Sequence, residues 1–283
     1  MKANIIDGAG YANAYADRLK ARVDKLHEIG IKPRLAVILA GDDPASDLYV
    51  RLKAKRATEL GIETDVYKFG KSVSAKELID QLDKLSDDQN VHGILVQLPL
   101  PDHIDAQMIL PHVDPKKDVD GLNSCNVGAL FCARDCFIPC TPKGILKLIE
   151  STGVKIEGKN AVVVGRSTMV GKPAAILLLQ NNATVTICHS KTQDLKAVTK
   201  TADILVIAVG VSSLITADMI KPGAVVIDVG MTKVNGKWHG DVDFEGASEI
   251  ASFITPVPGG VGPMTIIMLM ENTIEAAEQL RHG

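Results

Sequence analysis

The sequence lacks the features that mark membrane, secreted and nucleic-acid-binding proteins. No apolar run among its 283 residues reaches the roughly 18 to 20 residues of a membrane-spanning helix, and its first residues lack the apolar core of a signal peptide. The net charge is −3, so there is no basic excess that would attract nucleic acid or an anionic membrane. These absences predict a cytoplasmic protein that binds neither nucleic acid nor a membrane.

The cysteines give no sign of a disulfide framework or a zinc site. Four of the five lie close together, at Cys125, Cys132, Cys136 and Cys140, but no two of them form a C-x-x-C pair and no ordered set of histidines accompanies them. We therefore expect reduced thiols in a reducing compartment, and no bound metal.

Short apolar runs rich in β-branched residues alternate with longer segments that fit helices, which is typical of an α/β fold with parallel sheets. The clearest runs lie at 34–40, 63–69, 92–98, 161–164, 183–188, 202–209 and 224–229. The chain is long enough for two domains, and a Pro-containing stretch near 139–144 separates the two sets of strands. We predict a first α/β domain over 1–139, completed by a C-terminal helix over 265–283, and a Rossmann-like parallel-sheet nucleotide domain over 140–264.

The turn from Gly165 to Gly171 is the strongest candidate for a phosphate site. It follows the buried strand at 161–164 and precedes a run of helix-forming residues. A helix N-terminus offers unpaired N–H groups, and glycine lets the backbone approach a pyrophosphate closely. However, Arg166 and Ser167 stand where a dinucleotide fingerprint has its second glycine. The turn alone leaves dinucleotide binding and an ordinary strand-to-helix turn equally open.

The end of the next strand indicates which nucleotide would bind. A site for NAD places an acid there for the ribose hydroxyls, whereas this chain has the segment Cys188-His189-Ser190-Lys191. Together with Arg166, this cationic and hydroxyl-bearing edge suits a ribose phosphate and favours NADP. The alternative is that 189–192 is only a polar loop and that Arg166 is solvated.

A helix predicted between Asp43 and Gly61 contains the candidate base. Asp43 can cap it, Pro44 suits its first turn, and Gly61 suits the position after its end. At about 100° per residue, the residues that share one side are Tyr49, Leu52, Lys53, Ala57 and Leu60. Arg56 falls near the same side, but a guanidinium stays protonated, whereas a desolvated lysine can act as a base. The alternative is a snorkelling or paired lysine.

Two further stretches contain candidate site residues. Gln97 ends the strand at 92–98, and the carboxyl ends of strands face the crevice in which open α/β sheets bind ligands, although an edge polar group is an equal alternative. Asp118 and Asp120 lie in a turn among lysines, which alone would indicate a solvated loop.

Several motifs lie in order along the chain, and together they resemble the bifunctional methylenetetrahydrofolate dehydrogenase/cyclohydrolase family nearly from end to end. The motifs are Ser46-x-x-Tyr49-Val-x-x-Lys53, Gly93-Ile-Leu-Val-Gln97-Leu-Pro-Leu-Pro101, Asp118-Val-Asp120-Gly-Leu-Asn123, Pro139-Cys-Thr-Pro142, Gly165-Arg-Ser167 and Pro256-Val-Pro-Gly-Gly-Val-Gly-Pro263.

The resemblance implies catalytic roles for four residues. The lysine matching Lys53 acts in the cyclohydrolase step, and the glutamine matching Gln97 orients it. The tyrosine matching Tyr49 stacks on the folate, and the aspartate matching Asp120 anchors the pterin ring. Tyr49, Lys53, Gln97 and Asp120 are also expected to bind substrate, together with Leu98, Pro258, Gly259, Gly262 and Pro263. The expected cofactor-binding residues are Thr141, Gly165, Arg166, Ser167, Ser190 and Met231.

The resemblance further implies a cleft between the two domains and two reactions within it. These are NADP-dependent oxidation of 5,10-methylenetetrahydrofolate to the methenyl compound, and hydrolysis of that product to 10-formyltetrahydrofolate. It also implies a homodimer that associates through the nucleotide domains. Two alternatives remain from the sequence: a dehydrogenase of another small substrate, and a nucleotide-binding module without catalysis.

Overall fold

The computed structural model describes residues 2–280 and divides them into two units. Unit 1 contains residues 2–12 and 141–265, and unit 2 contains residues 13–140 and 266–280. The sequence assigns all of 1–139 to one domain, whereas the structure groups residues 2–12 with the nucleotide unit. The reason is that the short strand β1 (Asn4–Ile5) pairs with β11 (Phe253–Ile254). Residues 281–283 of the predicted last helix lie outside the described residues.

Unit 2 is built on three parallel strands, β2 (Arg34–Ala40), β3 (Glu63–Phe69) and β4 (Gly93–Val96), in the order β3-β2-β4. The helices α2 (Pro44–Leu60) and α3 (Ala75–Asp87) connect them along the chain. The other helical segments are the later parts of α1 (Gly8–Glu28) and α10 (Val261–Leu280), together with α4 (Ala106–Ile109), a 3₁₀ turn (Leu110–His112) and α5 (Ser124–Phe131).

The ends of α2 are fixed as the sequence predicts. The Asp43 carboxylate accepts the N–H of Ser46 at 2.8 Å, and Pro44 occupies the first turn. At the other end Gly61 has a left-handed backbone with φ 82°, and its N–H returns to the carbonyls of Ala57 and Thr58. The helix therefore begins and ends at defined residues, which fixes the position of every side chain along it.

Unit 1 is built on six parallel strands in the order β1-β11-β8-β7-β5-β6. The strands not yet given are β5 (Asn160–Val164), β6 (Thr184–Cys188), β7 (Ile204–Ile207) and β8 (Val225–Asp228). A separate antiparallel hairpin joins β9 (Thr232–Val234) to β10 (Lys237–His239). The helical segments are α6 (Cys140–Ser151), α7 (Gly171–Gln180), α8 (Leu195–Thr199), a 3₁₀ turn (Ala217–Met219) and α9 (Phe244–Ser248).

The order of the strands creates a switch point beside β5. From β5 the chain moves outward to β6 and then returns to β7 on the opposite side of β5. Open α/β sheets bind ligands in the crevice at the carboxyl ends of the strands at such a point. The predicted phosphate turn, which begins at Gly165 directly after β5, lies at this edge of the sheet.

The predicted cofactor residue Thr141 lies inside the first turn of α6, which begins at Cys140. Its hydroxyl lies 2.9 Å from that of Thr265. Among residues 2–280, no helix is both long and apolar enough to cross a bilayer.

Candidate functional site

The centre of the candidate site in unit 2 is a bond between Lys53 and Gln97. The buried residues of α2 are Ser46, Val50, Ala57 and Leu60, and Lys53 continues the spacing of this stripe at its middle. Its Nζ lies 2.9 Å from Oε1 of Gln97, the residue that directly follows β4. The helix that leaves β2 and the end of the neighbouring strand β4 are thus joined by their side chains.

The orientation of the Gln97 amide follows from its surroundings. Gln97 is 9% exposed, and its main-chain N–H donates to Ile38 of β2 at 2.9 Å. Its side-chain Nε2 donates to the carbonyl of Leu98 at 2.7 Å, so the amide oxygen faces Lys53. A buried amide that is bonded at both ends has one favoured orientation. Gln97 therefore presents Lys53 with a fixed acceptor.

The structure separates the two cations between which the helical pattern could not choose. The guanidinium of Arg56 donates to the side chain of Asn13 at 2.7 Å and lies 3.2 Å from Glu59. Tyr49 lies one turn before Lys53 and is half-buried, and burial raises the pKa of its phenol. Leu52 is 42% exposed, so its predicted place among the buried residues of α2 is wrong.

The turn that contains Asp120 is attached to β4. Ile94 in that strand donates its N–H to the carbonyl of Lys117 at 2.7 Å, and it forms a parallel bridge with Asp118. Asp120 lies in the turn that directly follows this bridge, where the N–H of Gly121 donates to the carbonyl of Asp118 at 3.0 Å. The sequence order alone did not indicate that this turn is attached to β4.

The two aspartates of this turn have different roles. The buried carboxylate of Asp118 accepts the N–H of Asn123 at 2.7 Å and the side-chain amide of Asn126 at 2.8 Å. Burial raises the pKa of Asp118, and these two bonds oppose that effect. Asp118 therefore holds the turn together, whereas Asp120 is half-buried.

The remaining predicted substrate residues fall in two places. Leu98 directly follows Gln97, whereas Pro258, Gly259, Gly262 and Pro263 belong to unit 1, at the junction of β11 and α10. The carbonyl of Gly259, which has φ 104°, accepts the N–H of Ala9 at 2.9 Å. Gly262 and Pro263 lie in the first turn of α10 rather than in a loop.

The phosphate turn in unit 1 depends on both of its glycines. A Cβ on Gly165, where φ is 126°, would lie 2.4 Å from the carbonyl oxygen of Ala208, and one on Gly171 would lie 2.2 Å from that of Gly165. The Oγ of Ser167 accepts the N–H groups of Val170 and Gly171 at 3.1 and 3.3 Å. Helix α7 therefore begins close to the end of β5, the arrangement that a dinucleotide site requires.

Arg166 and Ser190 lie on neighbouring turns. The N–H of Gly165 donates to the carbonyl of Cys188 at 2.9 Å, so Arg166, one residue after Gly165, and Ser190, two residues after Cys188, both follow strand ends at the same edge of the sheet. Both Arg166 and Ser190 are exposed. The first acid after β6 is Asp194, whose carboxylate accepts the N–H of Ala197 at the start of α8. An exposed cation and hydroxyl at this edge fit a phosphate group.

Two buried aspartates near the predicted cofactor residue Met231 were not predicted from the sequence. Asp228 ends β8, and Asp241 follows the hairpin; they are 3% and 0% exposed. Burial raises the pKa of Asp228 to about 6, and the charge of Asp241 adds to this, although three main-chain N–H groups oppose it. An acid that ends an otherwise apolar strand was the sequence signal that could have found Asp228.

Neither unit offers a metal site. Within residues 2–280 there is no cluster of three or more histidine, cysteine, aspartate or glutamate side chains suited to bind an ion. None of the five cysteines forms a disulfide.

Comparison with known proteins identifies relatives over the full chain. Residues 6–120 match the catalytic domain of tetrahydrofolate dehydrogenase/cyclohydrolase, and residues 139–281 match its NAD(P)-binding domain. The bifunctional protein FolD of an Exiguobacterium strain is 54% identical over 275 residues, which is 97% of this chain and 99% of that protein.

Solved structures agree with these matches. The FolD methylenetetrahydrofolate dehydrogenase/cyclohydrolase of Campylobacter jejuni is 46% identical with a TM-score of 0.97, over 98% of this chain and 99% of that one. The Trypanosoma brucei enzyme, solved with NADP cofactor and an inhibitor, is 38% identical with a TM-score of 0.96, over 100% of both chains.

The raised pKa of Asp228 predicts a pH-dependent stability. The folded-state pKa is about 6, against 3.8 for an ordinary aspartate, so the neutral carboxyl stabilises the fold at low pH and this stabilisation is lost as pH rises through about 6. Two pKa units correspond to about 3 kcal/mol. In urea denaturation of the protein without ligands, the free energy of unfolding of the wild type should fall by up to that amount relative to Asp228→Asn between about pH 4 and 7.

Asp203→Asn is the matched control for this measurement. The ion pair with Lys221 and the N–H of Asn160 lower the pKa of Asp203, so the wild type should gain stability over that variant as pH rises through the acid range. A free-energy difference between wild type and Asp228→Asn that does not change with pH would contradict the assignment.

Proposed function

The chain belongs to the tetrahydrofolate dehydrogenase/cyclohydrolase family, and from this premise we propose which of its residues perform each reaction. The protein is a bifunctional enzyme with an NAD(P)-binding domain: it oxidises 5,10-methylenetetrahydrofolate and hydrolyses the methenyl product to 10-formyltetrahydrofolate. When bound, the nicotinamide cofactor accepts the hydride that leaves the methylene group. The residues of this chain bind and orient the reactants, and they move the proton of the attacking water.

The proposal that Lys53 is the base of hydrolysis rests on its bond to Gln97 at 2.9 Å. Water that attacks the methenyl carbon must lose a proton, and a neutral amine with a free lone pair can accept it. The positive charge of the methenyl substrate disfavours a second positive charge beside it, which favours the neutral amine. Hydride transfer does not require this step.

Gln97 keeps the Lys53 amine in place through both protonation states. Its carbonyl oxygen can accept a hydrogen from an ammonium or from a neutral amine, so the bond persists when the proton leaves. The lone pair of the neutral amine then remains available to water. Because Leu98 fixes the amide of Gln97, the amine has little freedom to turn away.

Tyr49 and Asp120 are proposed to bind the folate ring. A carboxylate can accept paired hydrogen bonds from the amino and ring N–H groups of a pterin, and an aromatic side chain offers a stacking surface. The turn that contains Asp120 is attached to β4, the strand that Gln97 follows, and Tyr49 lies one helical turn from Lys53. These positions provide one anchoring residue and one stacking residue beside the proposed base.

The proposed cofactor is NADP rather than NAD. Arg166 and Ser190 are exposed on adjacent turns at the end of β5 and β6, where a ribose phosphate would be neutralised. Asp194, the acid next along the chain, is used as a helix cap. We assign Gly165 and Ser167 to the pyrophosphate because their turn is closely packed. We assign Thr141 and Met231 to cofactor binding on the basis of the family resemblance.

We also propose a homodimer that forms through unit 1. Strand β6 is at the edge of the six-stranded sheet. Ile187 in this strand is 41% exposed, and Leu179 on the adjacent helix α7 is 55% exposed. An exposed, partly apolar edge strand favours pairing with another strand. A second copy of the chain would cover it.

Lys53→Met should lower hydrolysis of methenyltetrahydrofolate by about 100-fold or more, as expected for loss of a general base, while sparing at least part of the dehydrogenase. Gln97→Ala should also slow hydrolysis, and the double variant should cost little more than Lys53→Met because the pair acts as a unit. Lys55→Met, which removes an exposed cation from the same helix, is the control. Hydrolysis at the wild-type rate by a folded, folate-binding Lys53→Met protein would refute the assignment.

Arg166→Ala should lower the ratio of kcat/KM for NADP to that for NAD by about 10- to 100-fold, the range of a charge-assisted hydrogen bond. The control is Lys155→Ala, which removes an exposed cation from the loop before β5. Equal kcat/KM for the two cofactors in the wild type would contradict the proposal.

Light scattering at micromolar concentration should give twice the chain mass of 30.2 kDa. Ile187→Lys should shift the protein toward the monomer, because a charge would be buried in the paired edge. Val66→Lys, on the edge strand β3 of unit 2, should leave the mass unchanged. A wild-type monomer would rule the dimer out.

A further inference from the structure

Two buried carboxylates bind the loops that follow β7 and β8. Asp228 is the last residue of β8, and Asp241 comes two residues after β10. Both are almost wholly removed from water, and both accept hydrogen bonds from main-chain N–H groups. Buried carboxylates are costly unless they are well bonded, and the bonds of these two hold loop backbone in place.

Asp228 holds the loop after its own strand and the segment after the hairpin. Its Oδ1 accepts the N–H of Gly230 at 3.0 Å and that of Asp241 at 2.9 Å. Its Oδ2 accepts the N–H of Val242 at 2.9 Å. A Cβ on Gly240 would lie 1.9 Å from Oδ2, so the segment can approach this closely only because residue 240 is glycine.

Asp241 continues the connection to the loop after β7. Its Oδ2 accepts the N–H groups of Val209 at 2.7 Å and Gly210 at 2.9 Å. A Cβ on Gly230 would lie 2.1 Å from its Cγ. The two carboxylates therefore connect the loops after β7 and β8 through residues 240–242.

These loops border the switch point of the sheet. Gly165 packs against the carbonyl of Ala208, directly before the residues that Asp241 binds. Met231, a predicted cofactor residue, follows Gly230, which Asp228 binds. The carboxyl edge at which a dinucleotide is expected is therefore shaped in part by two acids that are themselves buried.

We propose that Asp228 and Asp241 are positioning residues for the nicotinamide cofactor, which hold residues 208–210 and 229–231 in the conformation that binds it. The proposal rests on the cofactor site assigned above. It differs from a purely structural role because loss of these bonds should weaken cofactor binding more than it slows turnover.

The two carboxylates differ in a way that allows an isosteric test. Both bonds to Asp241 use Oδ2, and within residues 2–280 its Oδ1 has no hydrogen-bond partner, so an asparagine can keep both bonds. Asp228 uses both oxygens, so an asparagine there must turn its NH₂ group toward an N–H donor. Asp228→Asn and Asp241→Ala should raise the KM for NADP about tenfold, and Asp241→Asn about threefold or less.

The control is Asp203→Asn. Asp203 also accepts a main-chain N–H, from Asn160 at 2.9 Å, but it lies at the amino end of β7, at the opposite edge of the same sheet. This variant should lose stability while keeping the wild-type KM for NADP. A KM raised as much as in Asp228→Asn would show that destabilisation alone is sufficient, and would overturn the proposal.

The experiment combines NADP titration with amide hydrogen exchange on the full chain. Exchange at Val209 and Gly210 should rise in Asp241→Ala and stay near wild type in Asp241→Asn, with KM following the same order. Wild-type KM in Asp241→Ala, or equal effects of the alanine and asparagine variants, would overturn the proposal, and this comparison remains decisive if Asp228→Asn does not fold. A wild type that failed to bind NADP would instead refute the underlying cofactor assignment.

Discussion

The common direction of the strands is the constraint on which both sites depend. In the three-stranded sheet and in the six-stranded sheet every pair of neighbours is parallel, so all carboxyl ends in a sheet meet at one edge. In unit 2 this brings the helix that follows β2 next to the end of β4, and the bond from Lys53 to Gln97 joins them. In unit 1 it brings together the turns that follow β5, β6, β7 and β8.

At each of these edges a buried polar side chain holds either a more exposed side chain or the backbone that carries one. Gln97 is bonded to Leu98 and presents its oxygen to Lys53, Asp118 holds the turn that exposes Asp120, and Asp228 holds the loop that leads to Met231. Each such bond contributes only about 1 kcal/mol to stability, but a buried group without its partner costs more. The geometry of both proposed sites is therefore maintained by buried polar side chains.

The sequence predicted most of the strands and helices, because buried strands and capped helices depend on local patterns. The capping of α2 by Asp43 and Gly61 is one example. Helical periodicity could not choose between Lys53 and Arg56, and the chemistry of the two side chains favoured Lys53. Periodicity also could not show that Asn13 and Glu59 bind Arg56. Helical spacing also placed Leu52 among the buried residues of α2, although nothing covers it fully. Asp228 and Asp241 were missed because their bonds join loops that are distant along the chain, which no periodicity records. The two reactions were predicted only from motifs that resemble one family.

Hydrolysis of the methenyl compound requires the removal of a proton from water, whereas hydride transfer does not. The most direct measurement compares the pH dependence of the two steps in the wild-type protein, with methenyltetrahydrofolate supplied for hydrolysis and single-turnover oxidation of methylenetetrahydrofolate for hydride transfer. The account predicts that the rate constant of hydrolysis rises with pH along a limb that the rate constant of hydride transfer lacks. Identical pH profiles for the two steps would contradict it.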